Sequence, residues 1–105
     1  MSNELQDCAE SGDLVRVTQL VVGGANIDEP DDAGWTALLQ ACYEGHFDIV
    51  VYLVERGANV THVHEDGVTA LHYAAFRGHL STVRYLLEHG ASIKEKSDDG
   101  KTALR

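Results

Sequence analysis

Six histidines and two cysteines are the side chains of this chain best suited to hold a metal or begin a nucleophilic reaction. His62 and His64 alternate along an extended stretch, which places both rings on one side of the backbone. Zinc generally takes four ligands at recognisable spacing. Cys8 and Cys42 belong to helix interiors in other parts of the chain, and no C-x-x-C pair exists. No metal site is therefore expected. "DDGKT", residues 98 to 102, looks like the tail of a phosphate-binding loop, but the glycine required five residues before Gly100 is Glu95. "DEPDDAG", residues 28 to 34, has acids suggestive of a calcium loop. It lacks the alternating oxygen donors and the closing glutamate, so it reads as a turn. No serine, histidine and acid converge in any geometry the sequence implies. The expectation is a chain that is not an enzyme and takes no cofactor.

The remaining histidines have plainer readings. His46 and His79 occupy the position taken by Asp13, just before a helix, where a cap or a hydrogen bond between units is expected. His89 falls near a helix C-terminus, where partial positive charge is mildly favoured. The two cysteines read as small buried thiols in a reducing compartment.

Charge narrows the partners. Seventeen acids against eight bases give a formal charge of -9. That field opposes nucleic-acid phosphates and anionic lipid surfaces and favours basic or neutral partners. No apolar run approaches the ~20 residues that span a bilayer. The opening "MSNELQDCAESGD" lacks a basic region followed by an apolar stretch, so no secretory signal is read there. An intracellular setting, cytoplasmic or nuclear, is expected, with no nucleic acid and no membrane among the partners.

The elements that would position these side chains come from a repetition. "GWTALLQACYEGHFDIVVYLVERGAN", residues 34 to 59, is nearly restated by "GVTALHYAAFRGHLSTVRYLLEHGAS", residues 67 to 92. Gly34, Gly67 and Gly100 share one step with Gly12, Gly45 and Gly78, and with Gly24, Gly57 and Gly90. Leu5, Leu38, Leu71 and Leu104 follow it too, as do Val17, Val50 and Val83. The period is about 33 residues, the length of a helix-pair repeat that buries its apolar face only by stacking.

Within the middle unit, Thr36 is placed to cap a helix through Ala37, Leu38, Ala41 and Cys42. Gly45 stops it by accepting left-handed geometry. A second helix after His46 carries an expected apolar stripe of Phe47, Val50, Val51 and Val54. Gly57 ends it. Thr69, Gly78, Leu80, Val83, Leu87 and Gly90 repeat the plan. Cys8, Ala9, Ala41, Cys42, Ala74 and Ala75 are small enough for first helices to approach closely. Asn3 is a candidate cap for "ELQDCAES", which is polar as a terminal unit should be.

The motifs "TALH" (69 to 72), "GHL" (78 to 80), "YLLEHGA" (85 to 91) and "DG.TAL" (66 to 71 and 99 to 104) resemble the ankyrin repeat family, over essentially the whole chain. The fold expected is all-α: an ankyrin-repeat solenoid of three helix-turn-helix units with short hairpin loops and the start of a fourth. The units run about 1–33, 34–66 and 67–99, with a partial unit at 100–105. Because "SDDGKTALR" stops just after a fourth unit begins, a boundary cut from a longer array is expected, with a short complete protein as the alternative. The family's signature usually reads T-P-L-H. Here Ala37, Ala70 and Ala103 replace the proline, and Leu39 replaces the histidine that His72 supplies. The resemblance implies that His72 braces adjoining loops, so the middle unit must brace them differently.

Columns that vary between units are the candidates for recognition. After the tip glycine stand Trp35, Val68 and Lys101; near the first helix end stand Glu10, Tyr43 and Phe76, then Ser11, Glu44 and Arg77. The resemblance puts these columns on the concave side. Trp35, Tyr43, Val68 and Phe76 would form an apolar strip, with Asp31, Asp32, Glu44 and Asp66 as an acidic rim that Arg77 and Lys101 interrupt. The alternative for Tyr43 and Phe76 is to cover the seam between units, with Glu44 and Arg77 as a surface ion pair. The expected function is a protein-interaction module. It would bind a partner protein or peptide of basic and apolar character through Trp35, Tyr43, Glu44, Val68, Phe76, Arg77, Asp32 and Asp66. Two alternatives stand beside it: the targeting region of a larger enzyme, such as a kinase or ubiquitin-ligase component, and weak self-association through the uncapped C-terminal end.

Overall fold

A computed structural model describes residues 4–64 and 67–91. Six helices follow one another: α1 (Glu4–Ser11), α2 (Leu14–Val22), α3 (Ala37–Glu44), α4 (Phe47–Glu55), α5 (Ala70–Phe76) and α6 (Leu80–Glu88), with no strand among the described residues. Each odd helix packs on the even helix that follows it. α1, α3 and α5 also pack side by side in one row, and α2, α4 and α6 in a second. The proposed cap Asn3, the tip acids Glu65 and Asp66, and the unit beginning at Gly100 with its Lys101 lie outside the described residues.

The first row is close-packed because its buried side chains are small. Ala9, Ala37, Ala41, Cys42, Ala70 and Ala74 are all essentially sealed from solvent, with Leu5, Leu38, Leu39 and Leu71 between them. Cys42 is buried, whereas Cys8, expected to match it, is only half-buried, because among the described residues α1 packs in its own row against α3 alone. In the second row the core face differs from the expected stripe. Ile49, Val50 and Leu53 are sealed in, Val51 and Val54 are half-buried, and Phe47 keeps 41% of its surface exposed. Phe47 is the first residue of α4, at the rim of the helix pair, so its ring lies edge-on to Tyr85 of α6 at 5.8 Å instead of entering the core. Leu80, in the matching place, is 71% exposed. Burying an aliphatic side chain is worth roughly 1.5 to 3 kcal/mol, so leucines and valines shared between neighbouring pairs hold the stack together.

The helix starts follow the expected chemistry. Thr36 leads α3 with extended backbone, and its hydroxyl accepts from Leu39 N at 3.2 Å. Thr69 does the same for α5, where His72 Nδ1 in turn accepts from Thr69 N at 3.0 Å, so each end of the first turn satisfies the other. Asp13 caps α2 through Arg16 N at 3.0 Å.

His46 and His79 make no such cap. Their rings reach back to the preceding helix pair: His46 Nε2 donates to Glu10 O at 2.9 Å, and His79 Nε2 to Tyr43 O at 3.1 Å. Since a carbonyl only accepts, Nε2 carries the hydrogen in both. Gly12 and Gly45 make room for these rings. Both have φ of +86°, and a Cβ would come within 2.9 Å of His46 Cε1 at Gly12 and 2.6 Å of His79 Cε1 at Gly45. Glycine is therefore required twice over, by backbone conformation and by the ring of the next unit.

The hairpin tips repeat one backbone pattern. Asp31 N donates to Trp35 O at 2.9 Å, and His64 N to Val68 O at 2.7 Å. In the column of Leu39 and His72, the first pair carries Gln6, which is buried and donates to Glu29 O at 2.6 Å and Trp35 O at 3.3 Å. Gln6 thus braces the first tip. Leu39 lies in the core, and the next tip is tied by His64, whose Nε2 donates to Ala33 O at 2.8 Å.

Candidate functional site

Trp35 follows Gly34 at the first tip, and both its backbone polar groups are held. Its N–H donates to Asp31 Oδ1 at 2.9 Å, and its carbonyl accepts from Asp31 N and Gln6. With the backbone fixed, the indole turns over the first helix row. It stacks on Tyr73 of α5 at 5.0 Å and 27°, meets Tyr43 of α3 edge-on at 5.7 Å, and rests against His64 at 4.6 Å. Tyr43 and Tyr73 stand perpendicular, 5.6 Å apart. The geometry is the offset and edge-to-face packing that aromatic quadrupoles favour, at about 0.5 to 1.5 kcal/mol per pair beyond area burial.

A polar contact completes the cluster. His64 Nδ1 accepts from the Tyr73 hydroxyl at 2.6 Å while Nε2 donates to Ala33 O. Both ring nitrogens are occupied, which leaves His64 no lone pair for a cation beside His62. The same contact joins the second tip, the first tip and α5.

Two further residues extend this face. Tyr73, Phe76 and Arg77 are spaced i, i+3 and i+4, so they share one side of α5. Arg77 lies over the Tyr43 ring, its guanidinium carbon 4.4 Å from the centroid. It makes no ion pair with Glu44, contrary to the surface pair offered as an alternative; the ion pair among the described residues is Arg16 with Glu4 at 2.9 Å. The reason is local: Tyr43, one unit back, offers a ring face that a guanidinium covers with little desolvation. Phe76 is 84% exposed, the most exposed large apolar residue described.

The residues expected at the site separate into three groups. Trp35 and Tyr43 are brought together, half-buried, and Arg77 is attached to them. Tyr43 does cover the seam between two units, whereas Phe76, its counterpart one unit on, is open. Val68 is half-buried at the second tip, with its carbonyl engaged by His64 N. Asp32 is exposed, and Glu44 is half-buried at the end of α3. Asp31 is committed inward, one carboxylate oxygen accepting from both Ala33 N and Trp35 N. Asp66 lies outside the described residues. Tyr73 and His64 were not among the expected site residues, although their columns vary too, with Gln40 and Asp31 in the preceding unit. The i, i+3, i+4 spacing of Tyr73 with Phe76 and Arg77 was the available signal.

No helix among the described residues is long and apolar enough to cross a membrane. The family model for ankyrin repeats (3 copies) matches residues 5–97. The chain is also similar to human protein phosphatase 1 regulatory subunit 27, at 46% identity over 48 residues, which is 46% of this chain and 31% of that protein. The matched part thus spans about a third of that relative's length. Three helix pairs stacked in two rows, capped threonines and left-handed glycines at one period, and a family match across nearly the whole length lead to one statement: this chain belongs to the ankyrin repeat family, whose repeats are generally protein-interaction modules.

Proposed function

We propose that this chain binds a partner protein or peptide on the face built from Trp35, Tyr43, Tyr73, Phe76 and Arg77. The observation that carries the reading is a rigid ring cluster continued by a phenylalanine that is 84% exposed. Aromatic side chains held in place by neighbours give large contact area at small entropic cost and dominate interface energetics. Asp32 and Glu44, at the border of this face, favour a partner segment with basic as well as apolar character. Two free cysteines fit a reducing intracellular setting, cytoplasmic or nuclear.

The test is affinity capture with wild type and Phe76→Ala, an exposed position whose truncation leaves the core intact. Partners lost from the variant, while its circular dichroism and melting are unchanged, support the face. An identical set of partners sinks it. Capture at raised salt separates the acidic border from the rings, since exposed charges are screened within about 8 Å at physiological ionic strength.

A second reading is favoured by the relative's being a regulatory subunit of protein phosphatase 1. Here the chain is a non-catalytic targeting part of a larger enzyme assembly. Titrating the purified phosphatase 1 catalytic subunit into the labelled chain decides it: saturable binding supports this reading, and none at micromolar concentration removes it.

A further inference from the structure

Arg77 is poised differently from the acids around it. Its side chain makes no hydrogen bond and no ion pair with any described residue, although the chain carries 17 acids. Instead the Tyr43 ring holds it, at 4.4 Å. A guanidinium laid over a ring keeps its N–H edges free, and those edges match a carboxylate in a two-pronged bond. The next residue back is Phe76, 84% exposed. The two lie side by side on the end of α5, at the outer margin of the ring cluster.

We propose that Phe76 and Arg77 together seat an acidic–apolar pair of the partner polypeptide: the guanidinium takes an aspartate or glutamate carboxylate, and the phenyl ring takes the apolar side chain beside it. The proposal rests on the binding face described above and deepens it by fixing which end of the partner lies where. In the column of Arg77, the preceding units carry Glu44 and Ser11. A basic residue of the partner is therefore drawn towards α3 and an acidic one towards α5, so the face distinguishes a segment from its reverse. A carboxylate is favoured over a phosphate because the chain's charge of -9 opposes a dianion more than a monoanion.

The experiment uses the purified full chain and an array of nine-residue synthetic peptides. Each carries leucine, phenylalanine or tryptophan at its centre, with glutamate, glutamine, lysine or phosphoserine beside it and a lysine towards one end or the other. Wild type should prefer glutamate to glutamine by roughly tenfold or more, the worth of a charge-assisted bond. Arg77→Gln should erase that preference, and Arg77→Glu should transfer it to lysine, with melting curves only slightly lowered because Arg77 is exposed and loses a single ring contact. Phe76→Ala should weaken all the apolar peptides. The proposal is overturned by a glutamate preference that survives Arg77→Glu, by phosphoserine outranking glutamate, or by no glutamate peptide binding at all. Self-association of the chain that Phe76→Ala abolishes would also overturn it, by assigning the ring to a second copy. If Phe76→Ala weakens binding while Arg77→Glu changes no preference, the face stands and this assignment falls. If neither variant alters peptide binding, the face falls too.

Discussion

Gly45→Ala is the substitution that most directly probes how one helix pair is keyed to the next. Two costs combine at this position. The residue has φ of +86°, where an L side chain is strained by about 1 to 2 kcal/mol. The new Cβ would also lie 2.6 Å from His79 Cε1, so the imidazole must move. Moving it breaks the 3.1 Å bond to Tyr43 O, worth about 1 kcal/mol. The sum is about 2 to 3 kcal/mol, which in a chain this size lowers the melting temperature by roughly 10 to 20 °C. Gly78→Ala is the control. Its φ is +76°, and no described residue lies within 4 Å of its Cβ position, so it carries the backbone cost alone. Urea unfolding followed by circular dichroism measures both. A double-mutant cycle of Gly45→Ala with His79→Ala then isolates the clash, because in the His79→Ala background Gly45→Ala should cost no more than Gly78→Ala. Equal costs for the two glycine variants in the parent chain, with a coupling energy near zero, would refute the argument.

Three further outcomes are expected. Thr36→Ala should destabilise the fold by about 1 kcal/mol while Thr36→Ser stays near the parent, since the buried hydroxyl accepts the Leu39 amide; urea midpoints check it. Tyr73→Phe keeps the ring stack but removes the donor to His64, so it should cost about 0.5 to 1.5 kcal/mol in the same assay. Burial pushes the Cys42 thiol far above its ordinary value, so the unfolded chain releases this proton near its usual pKa of about 8.5 while the folded chain keeps it. Stability then falls with rising pH above that point, by about 1.4 kcal/mol per pH unit, and Cys42→Ala should remove that part of the slope.

The sequence discloses the stack more readily than the face it presents. Period alone places Thr36, Gly45, Thr69 and Gly78 at their helix ends, because caps and left-handed turns are local devices that each unit must repeat. The second-row stripe was less legible: a helical spacing fits Phe47 with Val50 and Val54 as well as it fits Ile49 with Leu53, and only the neighbouring pair decides which side is covered. The ring cluster was half legible. Trp35 and Tyr43 stand out as variable aromatics, but Tyr73 and His64 become partners only when the second tip folds back over the first. Arg77 shows the same limit. Its place in the repeat suggests a pair with Glu44, yet in space its partner is a ring face.

The histidine that ends the connecting turn in the second and third units has a consequence for how such arrays grow. A unit brings its own plug, an imidazole aimed upstream, and leaves behind it a socket, a glycine whose missing side chain admits the following plug. A duplicated segment carrying both parts fits at either flank without any compensating change. One that loses its glycine strains the end of its own first helix and also displaces the imidazole of its successor, so part of the damage is felt one unit downstream of the altered residue.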